Sequence, residues 1–148
     1  HKSFASSYEN KKPFDIVAMP YGDQVLWPDH CIQGSTGSRF HPDLNHTRAD
    51  VIIRKGSNPA VDSYSAFYEN DKVTSTGLHG YLKNREVTKL TLVGLATDYC
   101  VAFSALDAAK LGYAVTVRLD MARGIETDGS LNAALDKMSK AGVNLVNG

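Results

Sequence analysis

Cysteine is scarce in this chain. Cys31 and Cys100 are the two present among 148 residues, and they lie far apart. A disulfide between them is open in principle, but a domain of this size does not need one. A lone pair in a chain without export signals is more often reduced. No apolar stretch is long enough to span a bilayer, and no signal peptide or lipidation motif is present. These absences point to a cytoplasmic protein with no membrane partner. Charge of one sign is lacking too: 16 Lys and Arg balance 16 Asp and Glu, for a net charge of zero. No basic run suggests nucleic acid, and no acidic tail suggests a basic partner. The strings G-x-G-x-x-G and G-x-x-x-x-G-K-[ST] do not occur, so nucleotide binding through them has no support. Neither an internal repeat nor a low-complexity segment is found. An initiator methionine is missing, since the chain opens at His1.

What is present fits a globular protein. Hydrophobic residues make up 43% and charged residues 22%, and the length suits a single domain over 1–148. The first forty residues show no sustained period and are rich in Ser, Gly, Pro, Asp and Asn, which is loop chemistry. Phe4, Tyr8, Phe14, Tyr21, Trp27 and Phe40 argue against disorder there. From residue 50 the pattern becomes regular. Val51-Ile52-Ile53 reads as a β-branched strand, and a helix is expected around Ser75 to Asn84, with Leu78, Tyr81 and Leu82 on one face. Leu90–Leu95 reads as a strand and Cys100–Leu111 as a helix stopped by Gly112. Ala114–Val117 is the next strand. Leu131, Ala134, Leu135 and Met138 mark a helix, and Val143–Val146 a last strand. Short apolar strands alternating with helices predict an α/β fold of three layers, a parallel sheet with helices on both faces. Ligands in such folds bind beyond the carboxyl ends of the strands.

Two polar residues fall at such strand ends, Lys55 and Cys100. A helix start carries partial positive charge and unpaired N–H groups. Together with a lysine it can lower a thiol pKa from ~8.5 toward neutrality, and the same N–H groups can hold an oxyanion. Position alone leaves the alternative open that Cys100 is a small core hydrophobe and Lys55 a solvated end cap.

Longer strings carry more. Gly94-Leu95-Ala96-Thr97-Asp98-Tyr99-Cys100, Lys55-Gly56 with Asp62-Ser63-Tyr64-Ser65-Ala66-Phe67, and Trp27-Pro28-Asp29-His30-Cys31-Ile32-Gln33-Gly34 with Phe40-His41-Pro42 resemble the nicotinamidase (pyrazinamidase) branch of the isochorismatase-like hydrolases. The Trp-Pro-x-His-Cys string is the specific one, since isochorismatases share the lysine–cysteine pair without it. The resemblance implies a parallel sheet flanked by helices and a Rossmann-like topology. It also implies an amidohydrolase of NAD salvage that cleaves nicotinamide to nicotinate and ammonia through a cysteine thioester. Cys100 would be the nucleophile and Lys55 the supporting cation. Ala96 and Cys100 would supply oxyanion N–H donors, with a cis peptide between Leu95 and Ala96. Trp27 and Tyr64 would line the ring pocket. A divalent metal, zinc before iron or manganese, would be held in part by His30 and His1; His1 leads a Ser-Phe-Ala-Ser string as in many family members. Homo-oligomer formation is left open.

His41 reads as a turn or helix-start residue rather than a ligand, and His46 and His79 as surface positions on helices. Cys31 reads as a packed thiol, and Asp29 as either an orienting partner of His30 or a loop carboxylate. No aspartate in the chain matches the family's proton acceptor, and Asp15, Asp23 and Asp62 lie in the wrong strings. The expectation is therefore a longer natural protein, whose upstream part bears that aspartate on a strand and further metal ligands. The alternatives are another member of the superfamily acting on a different amide or a vinyl ether, and a non-catalytic protein that kept the fold.

Overall fold

A computed structural model describes residues 1–148. The chain divides into two compact units, His1–Asp62 and Ser63–Gly148.

The first unit is mostly irregular, as its composition predicts, but it contains a hairpin that the loop reading missed. Strand β1 (Ile16–Met19) pairs antiparallel with β2 (Gly22–Val25) across Pro20-Tyr21. Gln24 anchors it. Its side chain is 1% exposed and donates to the Val25 carbonyl at 2.7 Å and to the Asp62 carboxylate at 2.8 Å. The Tyr21 hydroxyl donates to its carbonyl oxygen at 3.2 Å. A buried amide met on both sides is a satisfied polar core, not a defect. Trp27, 7% exposed, continues the hairpin's packing with its ring edge-on to Phe14.

Val51-Ile52-Ile53 is not a strand. It is irregular, and Val51 and Ile52 are exposed. β-Branched residues fit a pleated surface, but only pairing makes a strand, and within this unit nothing pairs with them.

The second unit holds the α/β core. Helix α1 (Leu78–Asn84) starts three residues later than expected. Gly77, at φ 90, turns the chain left-handed just before it. Then follow β3 (Lys89–Leu95), a π-helical turn (Thr97–Val101), α2 (Ala102–Lys110), β4 (Ala114–Arg123), α3 (Ser130–Lys140) and β5 (Asn144–Val146). Gly112, at φ 91, ends α2 as predicted: its N–H reaches Ala109 and the next N–H reaches Ala108. The strands form a parallel sheet in the order β3-β4-β5. In β4 the ladder slips. Leu92 pairs with Val117, yet Gly94 pairs with Ala122, so β4 carries an insertion at Arg118–Met121.

The core of this unit is built from Phe67, Val101, Ala105, Ala108, Val117 and Met138 with their neighbours. Alanines at α2 positions 102, 105 and 108 let the helix approach closely, and Ala134 and Met138 supply the buried face of α3. Leu90 and Leu92 pack on this core, whereas Thr91, Val93 and Leu95 on the opposite face of β3 are exposed. The expected α/β class is thus present, with its helical packing on the Leu90–Leu92 face. No helix is long and apolar enough to cross a membrane.

Candidate active site

Cys100 sits where the sequence placed it, just past the end of β3. The peptide between Leu95 and Ala96 is cis. The Ala96 carbonyl accepts from the N–H groups of Tyr99 and Val101 at 3.1 and 3.0 Å, closing the turn. That turn is wider than the α-helical start expected at Cys100, and α2 proper begins at Ala102. One cause is Ser104. Its hydroxyl donates to the Cys100 carbonyl at 2.6 Å and accepts from the Ala66 N–H at 2.9 Å. Serine bonding back by four residues tends to bend a helix.

Cys100 forms no disulfide and is half-buried. It borders a groove of about 320 Å³ whose walls include Leu78, Leu82, Leu92 and Val101. A partly exposed thiol in the first turn of a helical segment is in the class that can be activated, unlike a sealed core cysteine. Tyr64 belongs to the same neighbourhood. Its ring lies edge-on to Tyr99 at 5.7 Å and to Phe103 at 5.1 Å.

The remaining candidates belong to the first unit. Ala5 and Trp27 are joined through the backbone, as are Trp27 and Ser3, and the Phe4 ring lies 5.5 Å from His1 and 5.3 Å from His30. Trp27 and both histidines therefore meet around one short segment. Lys55 is half-buried, on irregular chain ahead of Gly56 rather than at a strand end.

The hydrogen bonds of His30 and His1 set what each ring can offer a metal. The Nδ1 of His30 donates to the Pro28 carbonyl at 2.7 Å. This leaves the Nε2 lone pair outward on an exposed ring, the arrangement of a ligating histidine. Asp29 is not the orienting group; it accepts from the Ser6 hydroxyl at 2.5 Å. His1 is held the opposite way. Its Nδ1 accepts from the Ser3 N–H at 3.2 Å and lies 2.8 Å from the Ser3 hydroxyl, so the neutral ring carries its proton on Nε2. No three side chains of His, Cys, Asp or Glu gather around a metal-sized point. The donors present, one prepared nitrogen and one that needs its ring turned over, do not make a complete metal centre.

Among the other residues, His41 takes the Asp43 N–H at 3.3 Å in a turn, as expected, and Cys31 is exposed rather than packed. His46 is exposed in a short 3₁₀ turn, His46–Arg48, and stacks on Phe40. His79 on α1 is half-buried and bonds the Tyr113 hydroxyl at 2.9 Å. The residue most underrated by the sequence is Asp98. It is 5% exposed and accepts from Ile125, Glu126 and Ser130. Burial pushes its carboxyl up, but the Ser130 hydroxyl and the two amides outweigh that and hold it below the ordinary value. A lone aspartate in a turn string carries no sequence signal for partners 27 to 32 residues away.

The model of the isochorismatase domain matches residues 9–147. A nicotinamidase of Acinetobacter baylyi is 50% identical over 143 residues, covering 97% of this chain and 67% of that protein. The solved Acinetobacter baumanii nicotinamidase/pyrazinamidase superimposes with a TM-score of 0.97 at 50% identity, covering 99% of this chain and 71% of that one. The pyrazinamidase of Pyrococcus horikoshii, solved in complex with zinc, gives a TM-score of 0.69 at 33% identity, covering 82% and 63%. With a family model matched across both units and half of the aligned residues shared with a curated relative, the chain belongs to the isochorismatase-domain family.

Proposed function

We propose that the protein is a nicotinamidase, hydrolysing nicotinamide to nicotinate and ammonia. The observation that carries this reading is the 50% identity to a protein of that name over nearly the whole chain. It is supported by the half-buried thiol in the turn after β3. In the first step the Cys100 sulfur bonds the amide carbonyl carbon. The carbon–nitrogen bond breaks, and the nitrogen leaves as ammonia with the thiol's proton. In the second, water adds to the thioester, releasing nicotinate and restoring the thiol. Lys55 is assigned the supporting positive charge, and the N–H groups of Ala96 and Cys100 the developing oxyanion. Trp27 and Tyr64 are assigned to the pyridine ring. The residues are taken to act as a single domain.

The zinc-bound relative supports a divalent metal, with His30 as a ligand through Nε2 and His1 as a second once its ring turns over. No step above runs through it. Two cysteines outside any disulfide suit a reducing compartment, the cytoplasm.

Incubation of the full-length protein with nicotinamide, with ammonia and nicotinate measured together, tests the reading. Equal amounts of both are expected, and none from Cys100→Ala. Release that survives Cys100→Ala removes the assigned nucleophile; an inactive wild type removes the substrate.

A further inference from the structure

Asp98 has no part in the chemistry above, yet it is among the most completely partnered side chains in the second unit. One oxygen accepts from the Ile125 N–H at 3.0 Å. The other accepts from the Glu126 N–H at 2.9 Å, from the Ser130 hydroxyl at 2.5 Å and, more weakly, from Ile125 at 3.2 Å. These donors lie on the segment that joins β4 to α3 and on Ser130, the first residue of α3. The segment runs through a left-handed backbone at Glu126 (φ 62), Asp128 (φ 48) and Gly129 (φ 77). Such angles are unfavourable for residues with a side chain and persist where something holds them. Asp98 is the group that meets this segment's amides. The next residue along the turn, Tyr99, reaches the same segment: its hydroxyl lies 3.2 Å from that of Thr127. Cys100 follows directly, and its own carbonyl is held from the other side by Ser104.

We propose that Asp98 is a positioning residue: its clasp on residues 125–130 sets the turn that presents the Cys100 sulfur. The proposal rests on the reading of Cys100 as nucleophile. A carboxylate is required because donors converge on both oxygens. An asparagine in its place brings two N–H donors of its own against at least one of them, and buried donors facing donors lose their bonds. The clasp acts on the sulfur through the short stretch of chain at Tyr99 that joins Asp98 to Cys100, not by touching substrate.

The test uses the full-length protein and the variants Asp98→Asn, Ser130→Ala and Tyr99→Phe. Two quantities are read for each. One is kcat and KM for ammonia release from nicotinamide, per mole of Cys100 titrated by iodoacetamide. The other is the rate of that alkylation at pH 7, followed by mass spectrometry. A misplaced reacting atom costs up to about a hundredfold in rate, so Asp98→Asn is expected to lower kcat per titrated thiol by about tenfold or more with KM little changed. Ser130→Ala, which removes one of the donors, is expected to lower it by about threefold on the same argument. Alkylation should slow in both. Removing a negative charge near a thiol would by itself favour the thiolate and speed alkylation, so slowing reports a displaced sulfur.

A loss of thermal stability with kcat per titrated thiol and alkylation unchanged overturns the proposal. Should Asp98→Asn give no folded protein, Ser130→Ala and Tyr99→Phe decide it by the same two readouts. Should the wild type release no ammonia, slowed alkylation in the variants still supports the positioning role while the substrate reading falls, and unchanged alkylation overturns the role.

Discussion

The Ser104 hydroxyl stands between Cys100 and Ala66, donating to the carbonyl of one at 2.6 Å and accepting from the N–H of the other at 2.9 Å. The side chain is 6% exposed, so neither bond is readily replaced by water. Ser104→Ala should therefore leave the Ala66 N–H without its acceptor and free the Cys100 carbonyl. The expected cost is about 1–3 kcal/mol of stability, read from urea unfolding. Ser104→Thr, which keeps the hydroxyl, should recover part of it. Equal midpoints for wild type and Ser104→Ala would contradict this account.

Met138 is fully buried on α3 among the residues of the second unit's core. Met138→Ala should open a cavity there at about 2–5 kcal/mol. Val73, 81% exposed, is the matched control, and its change to alanine should stay within about 0.5 kcal/mol. Chemical denaturation of the two variants side by side checks both.

Acid should loosen the Asp98 clasp. The folded carboxyl is held below its ordinary value of 3.8, so the unfolded state binds more protons in the window between the two. The clasp's contribution is thus fully present above 3.8 and is lost as pH falls below it toward the depressed value of the folded state. Asp98→Asn should melt lower than wild type at neutral pH, with the gap closing on the acid side. Melting curves taken from pH 7 downward measure it, and a gap that is constant with pH would exclude the carboxylate as its source.

In the first unit the corresponding anchor is Gln24. Gln24→Leu keeps the bulk but removes the donor to Val25 and to Asp62 and the acceptor for Tyr21. Hydrogen exchange at the paired residues Ile16–Val25 should speed up by about tenfold or more, as expected for the loss of a buried bond worth about 1–3 kcal/mol. Exchange at β3–β5 reports whether the change stays local.

Several elements were legible because they are written in local pattern. The i, i+3, i+4, i+7 spacing from Leu131 to Met138 gave α3, and Gly112 marked the end of α2. Cys100 stood out because a short string at a strand end carries its own meaning. Other features are not local. Val51–Ile53 has the residues of a strand and no partner to pair with. The hairpin at Ile16–Val25 was hidden because its second strand, Gly-Asp-Gln-Val, is poor in strand formers and is pinned by a buried amide. The extension of β4 to Arg123 was missed because polar residues interrupt its apolar run. Asp98 carries no local signal of its role because its partners lie on the far side of β4 in sequence. For His30, the string named the ring but not its tautomer, which a main-chain carbonyl decides.

The slip in β4 has a consequence for how that strand must be read. Between Val117 and Ala122 the chain advances five residues while β3 advances two, from Leu92 to Gly94. Side chains alternate with a period of two, so an odd advance inverts the alternation, and yet Val117 and Ala122 are both buried. The strand is two half-strands in opposite phase, joined by Arg118–Met121. The insertion therefore works as a phase shifter. It restores the inward step at Ala122 and with it the direction in which the chain departs toward Ile125 and Glu126. Removing the insertion would change where the chain leaves the sheet and so carry those two amides away from the carboxylate they now serve.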